Sequence, residues 1–252
     1  MRKMDLNDVA VVIPIYKRSF DQHEERNVAH NIQYLQPAPV FFVTKESLDV
    51  SYYQRQYPDI PYVRYHDRYF DGIKGYNKLM LSEQFYSKFQ EYEYICICQP
   101  DVLILKGGEA LEPFLEMPYD YIGAPWIPRH HITVLPDRKK IQKLINLFLP
   151  KYFVEVGNGG LSLRRTESTI ALLRKWKRLV RIWPHYEDYF FAYMGTHRDR
   201  DYRIAPVEVA MQFSLESNSR EIIKSGTAFP VGVHAYQKYY PDLWDEIKED
   251  AL

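Results

Sequence analysis

The chain opens with an apolar run that is typical of a strand buried in a parallel sheet. Residues 9–15 are uninterrupted apolar positions rich in β-branched side chains, as expected for a strand covered on both faces. A helical pattern follows over residues 24–35, with Val28 and Ile32 on its inner side, and a second strand is predicted over 40–44. This alternation predicts the βαβ opening of a Rossmann-like sheet.

Later elements continue the alternation. We predict strands over 62–65, 94–98 and 231–234 and helices over 76–89 and 166–181, before a final helix rich in Tyr and Trp. No repeat, low-complexity tract or linker divides the 252 residues, which one domain can accommodate. The expected fold class is α/β, with a mostly parallel central sheet flanked by helices.

Composition narrows the range of functions. The 33 Lys and Arg residues equal the 33 Asp and Glu residues, so no overall charge favours nucleic acid as a partner. The 22 Tyr and 13 Phe residues offer flat faces on which sugars and nucleobases stack, although such rings also fill protein cores. Cys96 and Cys98 point to the same face of one predicted strand, which disfavours a disulfide between them. Free thiols, and the lack of an apolar run long enough to span a membrane, favour a cytoplasmic protein.

Asp101 is the first candidate for chemistry. It follows the predicted strand over 94–98 in the sequence Gln99-Pro100-Asp101, at the edge where open α/β sheets bind ligands. Mg²⁺ and Mn²⁺ prefer oxygen ligands, so a carboxylate here could bind a divalent ion that neutralises a diphosphate. The alternative is a turn aspartate that accepts hydrogen bonds from local backbone amides.

Six blocks of sequence together resemble a known family. They are Ile13-Pro14-Ile15-Tyr16, Tyr76-Asn77-Lys78-Leu79-Met80, Gln99-Pro100-Asp101, Tyr121-Ile122-Gly123-Ala124-Pro125-Trp126, Gly157-Asn158-Gly159-Gly160-Leu161-Ser162-Leu163-Arg164 and His234-Ala235. In this order they are similar to the family catalogued as domain of unknown function 5672, which looks like the GT-A glycosyltransferases. The resemblance covers residues 9–239, and the fourth and fifth blocks are specific as a pair.

The resemblance implies a GT-A glycosyltransferase fold in a single domain, with a nucleotide-binding part over residues 9–105 and an acceptor and catalytic part over 106–252. It implies transfer of a sugar from a nucleotide-diphosphate donor, uridine-linked in many similar folds, to a glycan or lipid-linked glycan acceptor. A Mn²⁺ or Mg²⁺ cofactor would be held by Asp101 and by His234. Gln99 replaces the first acidic residue of the Asp-x-Asp motif of such enzymes, which leaves the strength of metal binding open.

The first strand and the residues after it are expected to form the nucleotide cleft. Pro14 ends this strand, Tyr16 could stack on the base, and Lys17 or Arg18 could bind a phosphate. Lys74 and Asn77 are expected on the second wall of the cleft. The alternative for these two residues is a solvated helix terminus.

A glycine-rich segment, Gly157-Asn158-Gly159-Gly160, interrupts the pattern of an ordinary strand. Glycine destabilises a strand by about 0.5–1 kcal/mol relative to alanine, so we expect something to approach this backbone closely. The resemblance implies that the donor sugar and the acceptor do so, with Asn158, Gly159, Gly160 and Trp126 in contact with substrate. A tight turn or a bulge is the alternative.

Glu187 and Asp188 are predicted to begin a helix after Trp183-Pro184. The unpaired amides of a first helical turn favour acidic residues, and this requires no catalytic role. The resemblance implies instead a catalytic pair, in which Asp188 takes the acceptor proton and Glu187 orients Asp188 or the acceptor. The two roles could be exchanged, and a retaining outcome stays open beside the inverting one.

Two basic stretches, over 138–151 and 174–181, predict either solvated faces or peripheral contact with an anionic membrane, and the first could also form a lid. Other enzyme classes are disfavoured, because a nucleotidyltransferase, P-loop kinase or dehydrogenase needs a glycine-rich phosphate loop after a strand. The first strand is instead followed by Tyr16 and Lys17, and no such fingerprint follows the later strands. A carbohydrate- or nucleotide-binding protein that has lost catalysis is the remaining alternative.

Overall fold

A six-stranded sheet forms the centre of the computed structural model, which describes residues 3–133, 140 and 149–249. In chain order, the strands are β1 (Val9–Pro14), β2 (Val40–Lys45), β3 (Tyr62–Tyr65), β4 (Tyr94–Cys98), β5 (Val102–Ile104), β6 (Tyr121–Thr133), β7 (Lys151–Arg165), β8 (Ser214–Leu215) and β9 (Gly232–His234). The central sheet has the order β3-β2-β1-β4-β7-β6. The four neighbouring strands β3, β2, β1 and β4 are parallel to one another, and β7 is antiparallel to both of its neighbours. A smaller sheet has the order β5-β9-β8.

Helices flank the central sheet. In chain order, they are α1 (Gln22–Tyr34), α2 (Ser51–Gln56), α3 (Gly72–Met80), α4 (Glu83–Ser87), α5 (Glu112–Leu115), α6 (Thr166–Lys175), α7 (Lys177–Ile182), α8 (Glu187–Tyr193), α9 (Val207–Phe213), α10 (Ser219–Lys224), α11 (Tyr236–Tyr239) and α12 (Leu243–Glu249). The α/β class and the mostly parallel central sheet predicted from the sequence are therefore confirmed.

Strand β1 shows why its apolar run is continuous. All of its residues are buried, and alternate side chains enter two separate apolar clusters. Val9, Val11 and Ile13 pack in one cluster, and Ala10 and Val12 pack in the other. A strand between two apolar layers has no face for a polar side chain.

Two predicted helices are each divided in the structure. The helix predicted over 76–89 is α3 and α4, and the Ser82 hydroxyl caps the second by accepting a 3.1 Å hydrogen bond from a backbone amide. The helix predicted over 166–181 is α6 and α7, which separate at Trp176. The Trp176 indole N–H donates to Asp199 at 2.7 Å. Apolar periodicity continues across both breaks, so it could not reveal a local cap or a long-range anchor.

The glycine-rich segment lies inside β7, where pairing with β6 is irregular. Ile122 pairs with Leu163 and Ala124 pairs with Asn158, so β7 has extra residues opposite β6. Such a bulge bends a strand and redirects its side chains. The bulge that the sequence left as an alternative is therefore present.

The basic stretch over 174–181 is partly neutralised, because Arg174 and Lys175 each pair with a carboxylate, at 2.7 and 2.8 Å. Most of the stretch predicted over 138–151 lies outside the described residues. Within the described part of the chain, no helix is long and apolar enough to cross a membrane. Peripheral membrane contact stays a prediction, which co-sedimentation with anionic vesicles would test.

A candidate active site at the carboxyl ends of the central strands

A cavity of about 840 Å³ lies beside the carboxyl ends of β1 and β4, where open α/β sheets bind their ligands. Ten of the predicted site residues line it, namely Pro14, Tyr16, Asn77, Asp101, Asn158, Gly159, Gly160, Glu187, Asp188 and His234. They come from segments far apart in the chain. The fold therefore places Asp101, Asn158 and Asp188 around one cavity, which is the arrangement that the transferase hypothesis requires.

Three predicted residues do not line this cavity. The Lys17 ammonium lies 2.8 Å from the carboxylate of Glu24, and Lys74 is exposed on α3. Trp126 is only 6% exposed, and a Cβ added to Gly157 would lie 2.6 Å from its ring. Lys17 is thus paired, Lys74 faces solvent and Trp126 is packed, and the contacts of these three side chains with substrate stay predictions.

The strand side of the cavity consists of Asp101, Glu216 and His234. Pairing of β5 with β9 aligns Val102 with His234, which brings the histidine ring beside Asp101. His234 Nε2 lies 3.4 Å from Asp101 Oδ1, and His234 Nδ1 lies 3.3 Å from Glu216 Oε1 without the alignment of a hydrogen bond. Asn158 donates to the other Glu216 oxygen at 2.5 Å. The small sheet thus holds an imidazole between two carboxylates.

On the strand side, charge pairing shifts the pKa values of His234 and Asp101 more than burial does. Burial alone would lower the pKa of His234, but Asp101 and Glu216 raise it to about 9. Burial would also raise the pKa of Asp101, but the His234 hydrogen bond and positive charge lower it below its usual value. Asp101, whose side chain is 43% exposed, is therefore a charged carboxylate at neutral pH.

The strand side can accommodate a divalent ion as a partial ligand set. Asp101 Oδ1 and His234 Nε2 are 3.4 Å apart, close to the roughly 3 Å between adjacent ligands of an octahedral ion with bonds of about 2.1 Å. Glu216 beside the second ring nitrogen resembles the carboxylate that commonly orients a metal-bound histidine. Among the residues described, no three His, Cys, Asp or Glu side chains form a complete metal site. A protonated imidazole cannot bind a metal, so the ion would have to displace the Nε2 proton of His234, and water and diphosphate oxygens would supply the remaining ligands.

Two buried asparagines of α1 fix the segment that carries Asp101. Asn27 donates to the Pro100 carbonyl at 3.2 Å. Asn31 donates to the Val102 carbonyl at 2.8 Å and accepts from the Ile104 amide at 2.9 Å. These amides replace backbone partners that the short β5 edge would otherwise lack. Neither residue was predicted to support the site, although their four-residue spacing places them on one helix face.

The helix side of the cavity consists of Tyr186, Glu187 and Asp188. Glu187 is buried and accepts two 3.1 Å hydrogen bonds from the guanidinium of Arg164. Its backbone amide donates to the side-chain oxygen of Asn77. Arg164 is itself completely buried on β7. Both carboxylate oxygens of Glu187 are engaged by the Arg164 guanidinium, so this geometry favours a positioning role for Glu187.

Asp188 has different surroundings. Its Oδ1 accepts a 2.8 Å hydrogen bond from the Tyr189 amide. Burial, followed by the nearby charge of Glu187, raises the pKa of Asp188 to about 7. A carboxylate that binds its proton this readily can accept one from a hydroxyl group at neutral pH. Of the two acidic residues, Asp188 is therefore the better candidate for a base.

The glycines of β7 make room for side chains of the protein itself. A Cβ on Gly159 would lie 2.5 Å from Glu187 Oε1, and one on Gly160 would collide with the ring of His234. The close approach predicted from the sequence is therefore present, but its partners belong to the two sides of the cavity. A larger residue at position 159 or 160 would displace the side chain of Glu187 or His234.

Most of the chain matches a family model. Residues 59–234, well over half of the chain, match the family model described as "Protein of unknown function (DUF5672)". The chain belongs to this family. A search of the curated proteins by sequence gave no match.

Two solved glycosyltransferases resemble this DUF5672 protein in fold. Mouse xyloside xylosyltransferase 1, in its apo form, is 10% identical, with a TM-score of 0.53 and coverage of 89% of this chain and 96% of that chain. The apo structure of the bifunctional glycosyltransferase WbbM is 13% identical, with a TM-score of 0.54. Coverage there is 96% of this chain and 49% of that chain. Identities this low show the fold alone, and they confirm the GT-A-like fold predicted from the sequence.

Several cavity residues of this DUF5672 protein were not predicted from its sequence. They include Glu24, Tyr76, Tyr186, Glu216 and Lys238. Tyr186 directly precedes the predicted acidic pair, and that neighbourhood could have drawn attention to it. Glu216 belongs to no motif, because it reaches His234 only through the long-range pairing of β8 with β9. No local pattern could have identified it.

Proposed function

We propose that this protein is a metal-dependent, inverting glycosyltransferase. Its donor is a nucleotide-diphosphate sugar, uridine-linked, and its acceptor is a glycan or a lipid-linked glycan. One observation carries the proposal: a single cavity brings together the Asp101 and His234 pair and the carboxylate of Asp188. The GT-A-like fold supports the proposal independently.

Asp188 supplies the base in this mechanism. The acceptor hydroxyl gives its proton to the Asp188 carboxylate while its oxygen attacks the anomeric carbon of the donor. The bond from that carbon to the diphosphate oxygen breaks, and the nucleoside diphosphate leaves with the bonding electrons. Attack opposite the leaving group inverts the anomeric carbon. A positioned base contributes about 10²–10⁴-fold in rate.

The remaining residues hold the groups that react. Asp101 and His234 would bind the divalent ion, which when bound neutralises charge on the leaving diphosphate. Asn158 keeps Glu216 beside His234, and the Arg164 and Glu187 pair supports the helix that carries Asp188. Pro14 and Tyr16 line the cavity at the end of β1, where the nucleotide is expected.

A direct test measures release of UDP from UDP-glucose, UDP-galactose and UDP-N-acetylglucosamine, with Mn²⁺ or with EDTA. The native protein is compared with Asp101→Asn, Asp188→Asn and the exposed control Asp59→Asn. We expect Mn²⁺-dependent release from the native and control proteins and a loss of at least about 10²-fold in Asp188→Asn. Equal release by all four proteins would remove both catalytic assignments. Binding of UDP without release by any of them would favour the non-enzymatic alternative.

A further inference from the structure

Four aromatic rings form a stack that ends at the cavity. His130 and Trp126 lie 5.2 Å apart with 14° between their planes, and Trp126 and Tyr189 lie 4.9 Å apart at 17°. Tyr189 and Tyr186 continue the series at 6.4 Å and 21°. Tyr186 lines the cavity and is 55% exposed, whereas Trp126 is 6% exposed. The stack is thus exposed at both ends, at His130 and at Tyr186, and Tyr186 is the ring that lines the cavity, backed by half-buried Tyr189 and buried Trp126.

The backbone of Tyr186 is fixed on both sides. Its carbonyl accepts a 3.0 Å hydrogen bond from the Trp183 indole, and the next amide, that of Glu187, donates to Asn77. The neighbouring His185 side chain bonds to the Thr133 carbonyl at 2.8 Å. A ring presented by an ordered backbone loses little conformational entropy when a ligand covers it.

We propose that Tyr186 is the platform of the acceptor subsite and that it takes the apolar face of a pyranose ring. The proposal rests on the proposed transferase function and adds the acceptor's chemical class and position. Asp188 lies two residues further along the chain, at the start of the helix that Tyr186 caps. A sugar stacked on Tyr186 presents its hydroxyls sideways, toward the polar groups of the same cavity.

Both exposed tyrosines of the cavity have carboxylates nearby, so their positions relative to Asp101 and Asp188 decide which ring takes the acceptor sugar. A second exposed tyrosine, Tyr16, is 54% exposed and stands at the end of β1, near Glu24 and Asp101. Tyr186 instead lies two residues before Asp188. The negative charges of Asp188 and Glu216 both contribute to the raised pKa of Tyr189, on which Tyr186 stacks. Carboxylates accept hydrogen bonds from hydroxyl groups, so the Tyr186 side combines an apolar face with acceptors, as sugar recognition requires.

The test is saturation-transfer NMR on the 252-residue chain with the methyl pyranosides of glucose, galactose, mannose and N-acetylglucosamine. Glycerol serves as a polyol without a ring. Tyr186→Phe retains the ring, whereas Tyr186→Ser removes it and places a favoured capping residue at the start of α8. We expect saturation of at least one pyranoside by the native protein and Tyr186→Phe, reduced about fivefold in Tyr186→Ser. Glycerol is expected to show none.

Binding of UDP with Mn²⁺ is followed in parallel by thermal shift. Equal saturation by Tyr186→Ser and the native protein would overturn the proposal. So would the absence of pyranoside saturation in a native protein that binds UDP and releases it from donors, an outcome that leaves the transferase intact. If pyranosides bind through Tyr186 but no UDP-sugar binds or reacts, the subsite stands and the transferase function fails.

Discussion

Asp101 and Asp188 line one cavity, but their surroundings shift their pKa values in opposite directions. Around Asp101, the positive charge of His234 exceeds the effect of burial and keeps the carboxylate ionised. Around Asp188, burial and the charge of Glu187 favour the protonated form. Two carboxyl groups whose surroundings shift their pKa values in opposite directions are suited to different chemical roles. On the strand side, Asp101 stays ionised and can bind a cation. On the helix side, Asp188 can take up and release a proton near neutral pH.

The substitution Asp188→Asn should separate the two sides most sharply. It removes the base but keeps the size of the side chain, so we expect transfer to fall by about 10²–10⁴-fold. Affinity for UDP with Mn²⁺, which we assign to the strand side in the proposed function, should change little. Steady-state kinetics and calorimetric titration measure the two quantities, with Asp59→Asn as the control. Equal losses in turnover and in UDP affinity would contradict the division.

The same variant should be more stable than the native protein at high pH. The folded-state pKa of Asp188 is about 7, above the value of an unfolded aspartate, so ionisation destabilises the fold progressively as pH rises toward 7. Asparagine removes this cost. Thermal unfolding of Asp188→Asn should therefore have a higher midpoint at pH 8 and the smallest difference near pH 4. A lower midpoint at pH 8 would mean that the carboxylate stabilises the fold.

The helix side should also be the more sensitive to loss of a charge partner. Arg164→Met leaves Glu187 buried without its cation, which should lower the free energy of unfolding by about 3–5 kcal/mol in a denaturant titration. The double variant Arg164→Met with Glu187→Leu removes both charges and should recover most of this loss. If the double variant is as unstable as the single one, packing rather than charge explains the effect.

The strand side depends more on hydrogen bonds from α1. Asn31→Leu keeps the approximate volume but leaves the Val102 carbonyl and the Ile104 amide without this partner, at a cost of about 1–3 kcal/mol for each group. Chemical denaturation measures the loss, and a Mn²⁺ titration in the presence of UDP should show weaker binding. Gln33→Leu, an exposed change on the same helix, is the control. Unchanged Mn²⁺ affinity would separate α1 from the positioning of Asp101.

Much of the fold could be predicted from local patterns. The strands predicted over 62–65 and 94–98 have the bounds of β3 and β4. For β4 the reason is that a strand buried between two layers is an apolar run with clear limits. Most residues predicted to form the site line one cavity, since strand ends and helix starts are visible in the sequence. Whether they act as proposed is a matter for the experiments above.

The supporting contacts could not be predicted, because they join segments far apart in the chain. Arg164 looked like the end of a motif, yet it bonds to Glu187 and to the hydroxyl of Tyr86 at 2.8 Å. Trp126 looked like a surface for substrate, yet it packs behind Tyr189. An aromatic ring at the end of a motif does not indicate whether its face is covered, and only the tertiary structure settles that.

The smallest predicted effect is a shift in the pH dependence of activity, which depends on the helix side. Activity should rise as pH increases through about 7, because Asp188 must be deprotonated to act as a base. Glu187→Gln removes the neighbouring negative charge and leaves Arg164 to stabilise the Asp188 carboxylate, so the midpoint should move down by about one pH unit. Initial rates from about pH 5 to about pH 9 measure this midpoint, with Asp59→Asn as the control. A midpoint that stays in place would show that another group titrates, because charges this close in a buried site must influence each other.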